Sequence, residues 1–307
     1  MTAVNGGAAY ALIPDDFAAM IAGREGAAGT AWLARLPALI ESALQEWACR
    51  VDGAAASGYV AVVLPVRCAD GTAAALKVSF PDREGFAEAT ALATWGGDGA
   101  VRLLTRDRSG FVLLLERVHA DRSLLDVGVG EAVSVIGGLL RRLHTVAAPP
   151  GVVRLADESV RWLEQLPVAW DRLRPDADRR LLDAALATLR ELGPAGDDTL
   201  LHRDLHYGNV LAADREPWLA IDPKGLAGHP AYDVIPVVWN RFDEIADEGN
   251  LARGVRRRVD ALCEAAGIDR EPAYRWTLTR AVEDLLWRMD NDPEPDLPHV
   301  AIAQALG

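Results

Sequence analysis

The chain has 307 residues, 50% hydrophobic and 25% charged. That balance excludes disordered and collagen-like classes and leaves a soluble globular chain of one large or two modest domains. Its 32 Lys and Arg stand against 45 Asp and Glu, a net charge of −13. Nucleic acid is thereby set aside as a partner, because nucleic-acid binders carry a basic excess that releases counterions, whereas an acidic field favours a cationic ligand.

Residues 1–17 show no basic stretch followed by an apolar core, so no signal peptide is expected. The longest apolar runs, 59–66 and 111–115, are strand-sized and too short to span a bilayer. No membrane partner and a cytoplasmic location are therefore expected. Cys49, Cys68 and Cys263 are odd in number, far apart in sequence and without metal spacing. They read as unpaired buried or half-buried thiols.

Runs 59–67 and 72–80 flank Ala69-Asp70-Gly71 and predict a β-hairpin. Residues 82–95 read as a helix closed by Gly96-Gly97, and runs 101–107 and 111–118 form a second strand pair meeting at Ser109-Gly110. Two strand pairs around one helix make a small α+β unit with an antiparallel sheet. Beyond residue 118 the pattern turns helical. Val133, Ile136, Leu139, Leu140 and Leu143 keep a helical period over 131–144. Further helices are expected at 159–170, 178–192, 232–242, 251–266 and 272–289, around a loop-and-strand region at 200–228. The expected division is a nucleotide-binding lobe, 1–118, and a larger helical lobe, 119–307, with a ligand cleft between them.

The chemistry concentrates in His202-Arg203-Asp204-Leu205-His206-Tyr207-Gly208-Asn209. It matches the kinase catalytic loop H-R-D-L-x-x-x-N at every fixed position. A carboxylate there orients and deprotonates an attacking hydroxyl, and an amide five residues later turns back to hold a metal ion. Two other readings compete. His202, Asp204 and His206 resemble part of a metal site but lack a further ligand at defined spacing, and Asp204 as a simple cap leaves Asn209 unexplained. Thirteen residues past Asn209, the apolar run 218–221 delivers Asp222 into a turn stiffened by Pro223, where a kinase places its metal-binding carboxylate.

The first unit should supply a lysine from a strand, and Ala74-Ala75-Leu76-Lys77-Val78 does so. A lysine in an apolar strand needs a carboxylate partner. Glu88 is favoured over Glu84 because it lies deeper in the predicted helix. The pair Lys77–Glu88 would then hold the α- and β-phosphates. Gly53-Ala54-Ala55-Ala56-Ser57-Gly58 occupies the nucleotide-loop position, where Ser57 and Gly58 let backbone N–H groups approach phosphate; a plain loop is the competing reading. Glu116-Arg117-Val118 falls where an interlobe hinge belongs, so the backbone at Glu116 and Val118 is expected to meet the adenine edge.

The catalytic segment, with Ile221-Asp222-Pro223-Lys224-Gly225 and Gly228-His229-Pro230-Ala231-Tyr232-Asp233, resembles the aminoglycoside phosphotransferase family. Residues 32–37, 95–104 and 209–223 are similar to its streptomycin 6-kinase/hydroxyurea phosphotransferase branch. The resemblance implies a protein-kinase-like bilobal α+β fold, with a small antiparallel-sheet lobe carrying one key helix and a larger mainly helical lobe. It also implies ATP and Mg2+ as cofactors and γ-phosphoryl transfer to a hydroxyl of an aminoglycoside, most closely the 6-hydroxyl of streptomycin. Asp204 would be the catalytic base, Asn209 and Asp222 the metal ligands, and Asp233 a supporting carboxylate. Arg203 departs from the glycine of many relatives, and Lys224 places a cation beside the metal aspartate.

A cationic small-molecule acceptor calls for an acidic wall. Asp243, Glu244 and Asp247 are candidates, as are Glu283, Asp284 and Asp290, against the alternative that helix carboxylates are solvated faces. Trp239, Trp276 and Trp287 read as core more readily than as stacking platforms, and Arg256-Arg257-Arg258 as a surface run. The same chemistry on hydroxyurea or another hydroxylated metabolite stays open, as does a kinase-fold protein that binds without turnover.

Overall fold

The computed structural model describes residues 12–81, 85–173, 178–194, 198–246, 249–291 and 297–307. The chain divides between His119 and Ala120 into two compact units.

The first unit opens with α1 (Asp15–Glu46), an element the sequence reading does not contain. Gly26, at φ +56°, and Pro37 interrupt its pattern, which hides the four-residue spacing of Phe17 and Ile21, then Trp32, Leu36, Ile40 and Leu44. Those side chains are buried against Val62, Leu64, Val66, Leu76, Val78 and Leu114 of the sheet. Each large apolar side chain so buried contributes about 1.5–3 kcal/mol. Trp32 meets Phe17 and Phe80 edge-on, at centroid distances of 6.1 and 5.6 Å.

Beneath α1 lie β1 (Cys49–Val51), β2 (Ala56–Ser57), β3 (Ala61–Cys68), β4 (Ala73–Ser79), β5 (Leu103–Arg106) and β6 (Val112–Glu116). Their order is β1-β3-β4-β6-β5, with β2 on β3 and every pairing antiparallel. Both strand pairs and both turns follow the sequence reading. At the first turn Asp70 Oδ1 accepts from Thr72 N at 2.9 Å and Gly71 takes φ +89°, a conformation glycine adopts without a Cβ clash. In β4 the alternation points Leu76 and Val78 at the α1 cluster and Lys77 at the opposite face. There it meets α2 (Gly85–Trp95). Gly96 and Gly97, at φ +60° and +95°, follow α2 as expected.

After β7 (His119–Ser123) the second unit carries α3 (Val129–Leu143), α4 (Leu155–Leu173) and α5 (Arg179–Leu192). Asp178 caps α5 through Arg180 N. A loop-rich segment follows with β8 (Thr199–Leu201), β9 (Val210–Ala212), β10 (Trp218–Ala220) and β11 (Leu226–Gly228). These form two small sheets, β10-β9-β7 and β11-β8. The closing helices are α6 (Pro236–Trp239), α7 (Asp243–Ala246), α8 (Leu251–Ala266), α9 (Arg270–Asn291) and α10 (Leu297–Leu306). No helix among the described residues is long and apolar enough to cross a membrane.

Two expectations need correction here. The single helix expected over 232–242 is instead a 3-10 turn, Pro230–Asp233, and the four-residue α6. Pro236 begins α6, while extended Asn240 and left-handed Arg241 (φ +56°) end it. Arg258 is not on the surface. It is buried and donates to the Tyr207 hydroxyl at 2.8 Å.

Candidate active site

In the first unit, β4 and α2 bring Lys77 and Glu88 together. Lys77 Nζ donates to both carboxylate oxygens of Glu88, at 2.8 and 2.7 Å. The two residues are only 6% and 2% exposed. Glu84, the other expected partner, lies outside the described residues. Glu116 ends β6, and its Oε2 accepts from Arg102 N at 3.0 Å. Val118 follows in a half-buried, non-strand position. Ser57 and Gly58 are exposed, and Gly58 N donates to Ala61 O at 2.9 Å, which leaves that N–H engaged in a turn.

In the second unit the segment after β8 is held from three sides. Asp233 is fully buried, and its carboxylate accepts from His202 N (2.9 Å), Arg203 N (2.6 Å) and His144 Nε2 (2.9 Å). Burial pushes its pKa up, but the hydrogen bond and charge of His144, with His202 behind them, prevail and hold it below the usual carboxylate range. His202 is also fully buried. Its Nε2 donates to Ile221 O at 3.0 Å and its Nδ1 accepts from Asp204 N at 3.3 Å. Burial drives its pKa down to about 4, so the ring is neutral and bridges the Asp204 loop to the end of β10. Lys224 N donates to His202 O at 3.0 Å and closes the same bridge.

Asp204 and Asn209 are joined directly. Asn209 Nδ2 donates to Asp204 O at 2.8 Å, which orients the amide and leaves its oxygen available. Between them His206 Nδ1 accepts from Gly208 N at 3.0 Å and fixes the 3-10 turn Tyr207–Asn209. Among the described residues, no hydrogen bond or ion pair reaches the Asp204 carboxylate. Burial raises its pKa against the opposing charges of His206 and Lys224.

Asp222 leaves β10 at φ +58°, and Arg203 sits at φ +71°. Left-handed backbone at a residue other than glycine costs about 1–3 kcal/mol and persists only where the surroundings dictate it. Both strained residues flank the candidate chemistry. Lys224, the cation beside Asp222 in sequence, places Nζ 3.0 Å from Asp222 Oδ2. The oxygens of Asn209 and Asp222 are hard amide and carboxylate donors, the set that suits Mg2+.

The acidic candidates separate. Glu244 is taken by Arg241 (2.6 Å), and Asp284 by Arg288 (2.8 Å) and His299 Nε2 (2.7 Å). Burial works against the charge on Asp284, but its hydrogen bonds and charge interactions with His299 and Arg288 bring its pKa to about 2. Asp243 is exposed. Asp247 and the side chain of Asp290 lie outside the described residues. Glu283 is half-buried and makes no hydrogen bond or ion pair among the described residues. Burial and neighbouring Asp284 carry its pKa up to about 7, against Arg280, Arg203 and Arg161. Trp276 is core, Trp239 is half-buried, and Trp287, expected in the core, is 56% exposed.

Sequence reasoning missed Arg280, which is buried. Its Nη1 donates to Arg203 O (3.2 Å) and Tyr232 O (3.1 Å), and its guanidinium lies over the rings of Tyr232 and Trp239. An arginine among helical charges gives no signal of this in sequence. His144, the donor to Asp233, was visible only as the end of a predicted helix.

An antiparallel sheet unit followed by a mostly helical unit is the kinase-like phosphotransferase fold. A solved macrolide 2'-phosphotransferase from Brachybacterium faecium shares it with a TM-score of 0.54 and 17% identity, covering 89% of this chain and 98% of that one. The model of the aminoglycoside/hydroxyurea antibiotic resistance kinases matches residues 46–292. A streptomycin 6-kinase of Streptomyces glaucescens is 46% identical over 296 residues, 96% of each chain. A hydroxyurea phosphotransferase of Kitasatospora aureofaciens is 44% identical over 286 residues, 92% of this chain and 82% of its own. The chain belongs to the aminoglycoside/hydroxyurea antibiotic resistance kinase family and is a phosphotransferase of that kind.

Proposed function

We propose that this chain transfers the γ-phosphoryl group of ATP, with Mg2+, to the 6-hydroxyl of streptomycin or a close aminoglycoside. The observation that carries the acceptor is the 46% identity to a streptomycin 6-kinase across 96% of both chains. Asp204 is the base. Its carboxylate makes no other hydrogen bond among the described residues, and burial keeps it more basic than an exposed aspartate, so it orients the acceptor hydroxyl and takes its proton. Asn209 and Asp222 hold the metal ion, which when bound neutralises charge on the phosphates. Glu88 fixes the Lys77 ammonium so that it meets the α- and β-phosphates. Asp233 and His202 hold the backbone N–H groups of residues 202–204 and so position Asp204.

Of the acidic candidates, Glu283 is the one to recognise the cationic acceptor, since Glu244 and Asp284 are already paired with cations of the chain. The 44% identity to a hydroxyurea phosphotransferase favours one second reading, the same transfer to hydroxyurea. Incubation with labelled ATP, Mg2+ and a panel of streptomycin, other aminoglycosides and hydroxyurea separates the two. Labelled streptomycin is the expected product. Label on hydroxyurea alone supports the second reading, and drug binding without any labelled product refutes both.

A further inference from the structure

Cys49 and Cys68 are 19 positions apart in sequence, but the fold sets them directly opposite each other on β1 and β3. The hydrogen bonds around them show which kind of antiparallel pair they form. Ala69 N donates to Ala48 O at 2.9 Å on one side, and Asp52 N to Pro65 O at 2.8 Å three pairs further on. Bonded and non-bonded pairs alternate along such a ladder, which makes Cys49–Cys68 a non-hydrogen-bonded pair. The peptide groups of Cys68 agree, since its N–H donates to Thr72 O and its carbonyl accepts from Gly71 N, both on the turn side. Non-bonded pairs bring Cα atoms to about 4.5 Å with their side chains on one face, inside the roughly 4.4–6.8 Å window of a disulfide.

Both thiols are free and half-buried. Together with Ala48, Ala69 and Gly71 they line a surface cavity of about 340 Å3, open to a small reagent. Sequence separation suggested three unrelated thiols; the register makes two of them neighbours and leaves Cys263 buried in α8.

We infer that Cys49 and Cys68 form a modification site, a reversible cross-strand disulfide closed by exchange with a low-molecular-weight disulfide. The Cys68 thiolate attacks one sulfur of the reagent, forming a mixed disulfide and releasing one thiol. Cys49 then loses its proton and attacks the Cys68 sulfur, releasing the second thiol. Two protein thiols are oxidised and one reagent disulfide is reduced to two thiols. Burial, with Cys68 and Asp70 adding to it, pushes the pKa of the Cys49 thiol up to about 12, and the atoms balance in the same way whichever thiol attacks first. The bond staples the start of β1 to the end of β3, beside the Ala69-Asp70-Gly71 turn.

The test treats the full chain with oxidised glutathione, blocks remaining thiols by alkylation, and maps peptides by mass spectrometry with and without dithiothreitol. One linked pair of peptides containing Cys49 and Cys68 is expected, lost on reduction, with Cys263 unlinked. The oxidised chain should melt several degrees higher than the reduced chain, and Cys68→Ser should abolish both the link and the shift. Glutathione adducts without the link, or a link involving Cys263, would overturn the inference. Because the mapping needs no nucleotide or acceptor, its failure is separate from any failure of the phosphotransfer reading.

Discussion

Lys77 and Glu88 give the sharpest energetic prediction. Both are almost wholly removed from water and joined by two short charge-assisted hydrogen bonds. Taking a charge out of water is costly, and mutual attraction in a low-dielectric interior offsets that cost only while both partners are present. Lys77→Met removes the ammonium that offsets the burial of the Glu88 carboxylate, a loss of about 3–5 kcal/mol. Glu88→Leu removes the carboxylate opposite the Lys77 ammonium, with a loss of similar size. Against a total stability of about 5–15 kcal/mol, either change brings the chain near unfolding. The double variant replaces the pair by apolar side chains of similar volume, which is commonly neutral or stabilising relative to a buried ion pair. Urea denaturation followed by tryptophan fluorescence should show two strongly destabilised single variants and a double variant close to the parent. The double variant should still use ATP poorly, since the ammonium is gone. Losses that simply add in the double variant would show that Lys77 and Glu88 are not energetically coupled.

Asp233→Asn keeps the shape but turns one acceptor oxygen into a donor facing an N–H; it should cost about 1–3 kcal/mol and lower kcat more than the KM for ATP, measured by steady-state kinetics. The pH dependence carries two opposing contributions. His202, held neutral with a pKa of about 4 against 6.5 in the unfolded chain, loses stability for the fold as pH falls through that window, because the unfolded chain then binds more protons. Glu283, raised to about 7 from 4.5, does the reverse: its contribution is present at low pH and lost as pH rises through about 7. Glu283→Gln should therefore make the unfolding free energy from urea denaturation fall more steeply from pH 6.5 to pH 5 than in the parent, by up to about 1 kcal/mol per pH unit once its partial exposure is allowed for. Parallel profiles would show that Glu283 ionises normally. The same variant should raise the KM for the cationic acceptor and leave that for ATP unchanged.

What sequence revealed was local. Fixed spacing marks Asp204, Asn209 and Asp222 because the chemistry needs those groups on one loop and one turn. The two strand pairs followed from turn chemistry such as Asp70-Gly71. Features set by distant partners stayed hidden. Arg258 follows two exposed arginines, and its burial is made tolerable by distant partners, the Tyr207 hydroxyl 51 residues away and the Val237 carbonyl. Helix α1 was hidden by Gly26 and Pro37, since its apolar face gains meaning only against the sheet it covers. The Cys49–Cys68 register and the Arg280 contacts likewise depend on strand and helix placement that no short-range pattern encodes.

The proposed role of Asp204 as the base of the phosphotransfer rests on its carboxylate, unengaged among the described residues, and on its place in the loop. Asp204→Ala, assayed for streptomycin phosphorylation with labelled ATP beside a direct ATP-binding titration, tests it most directly. A loss of transfer on the order of 10²–10⁴-fold or more is expected, with ATP binding essentially retained. Turnover near the parent rate in a folded Asp204→Ala chain would contradict it.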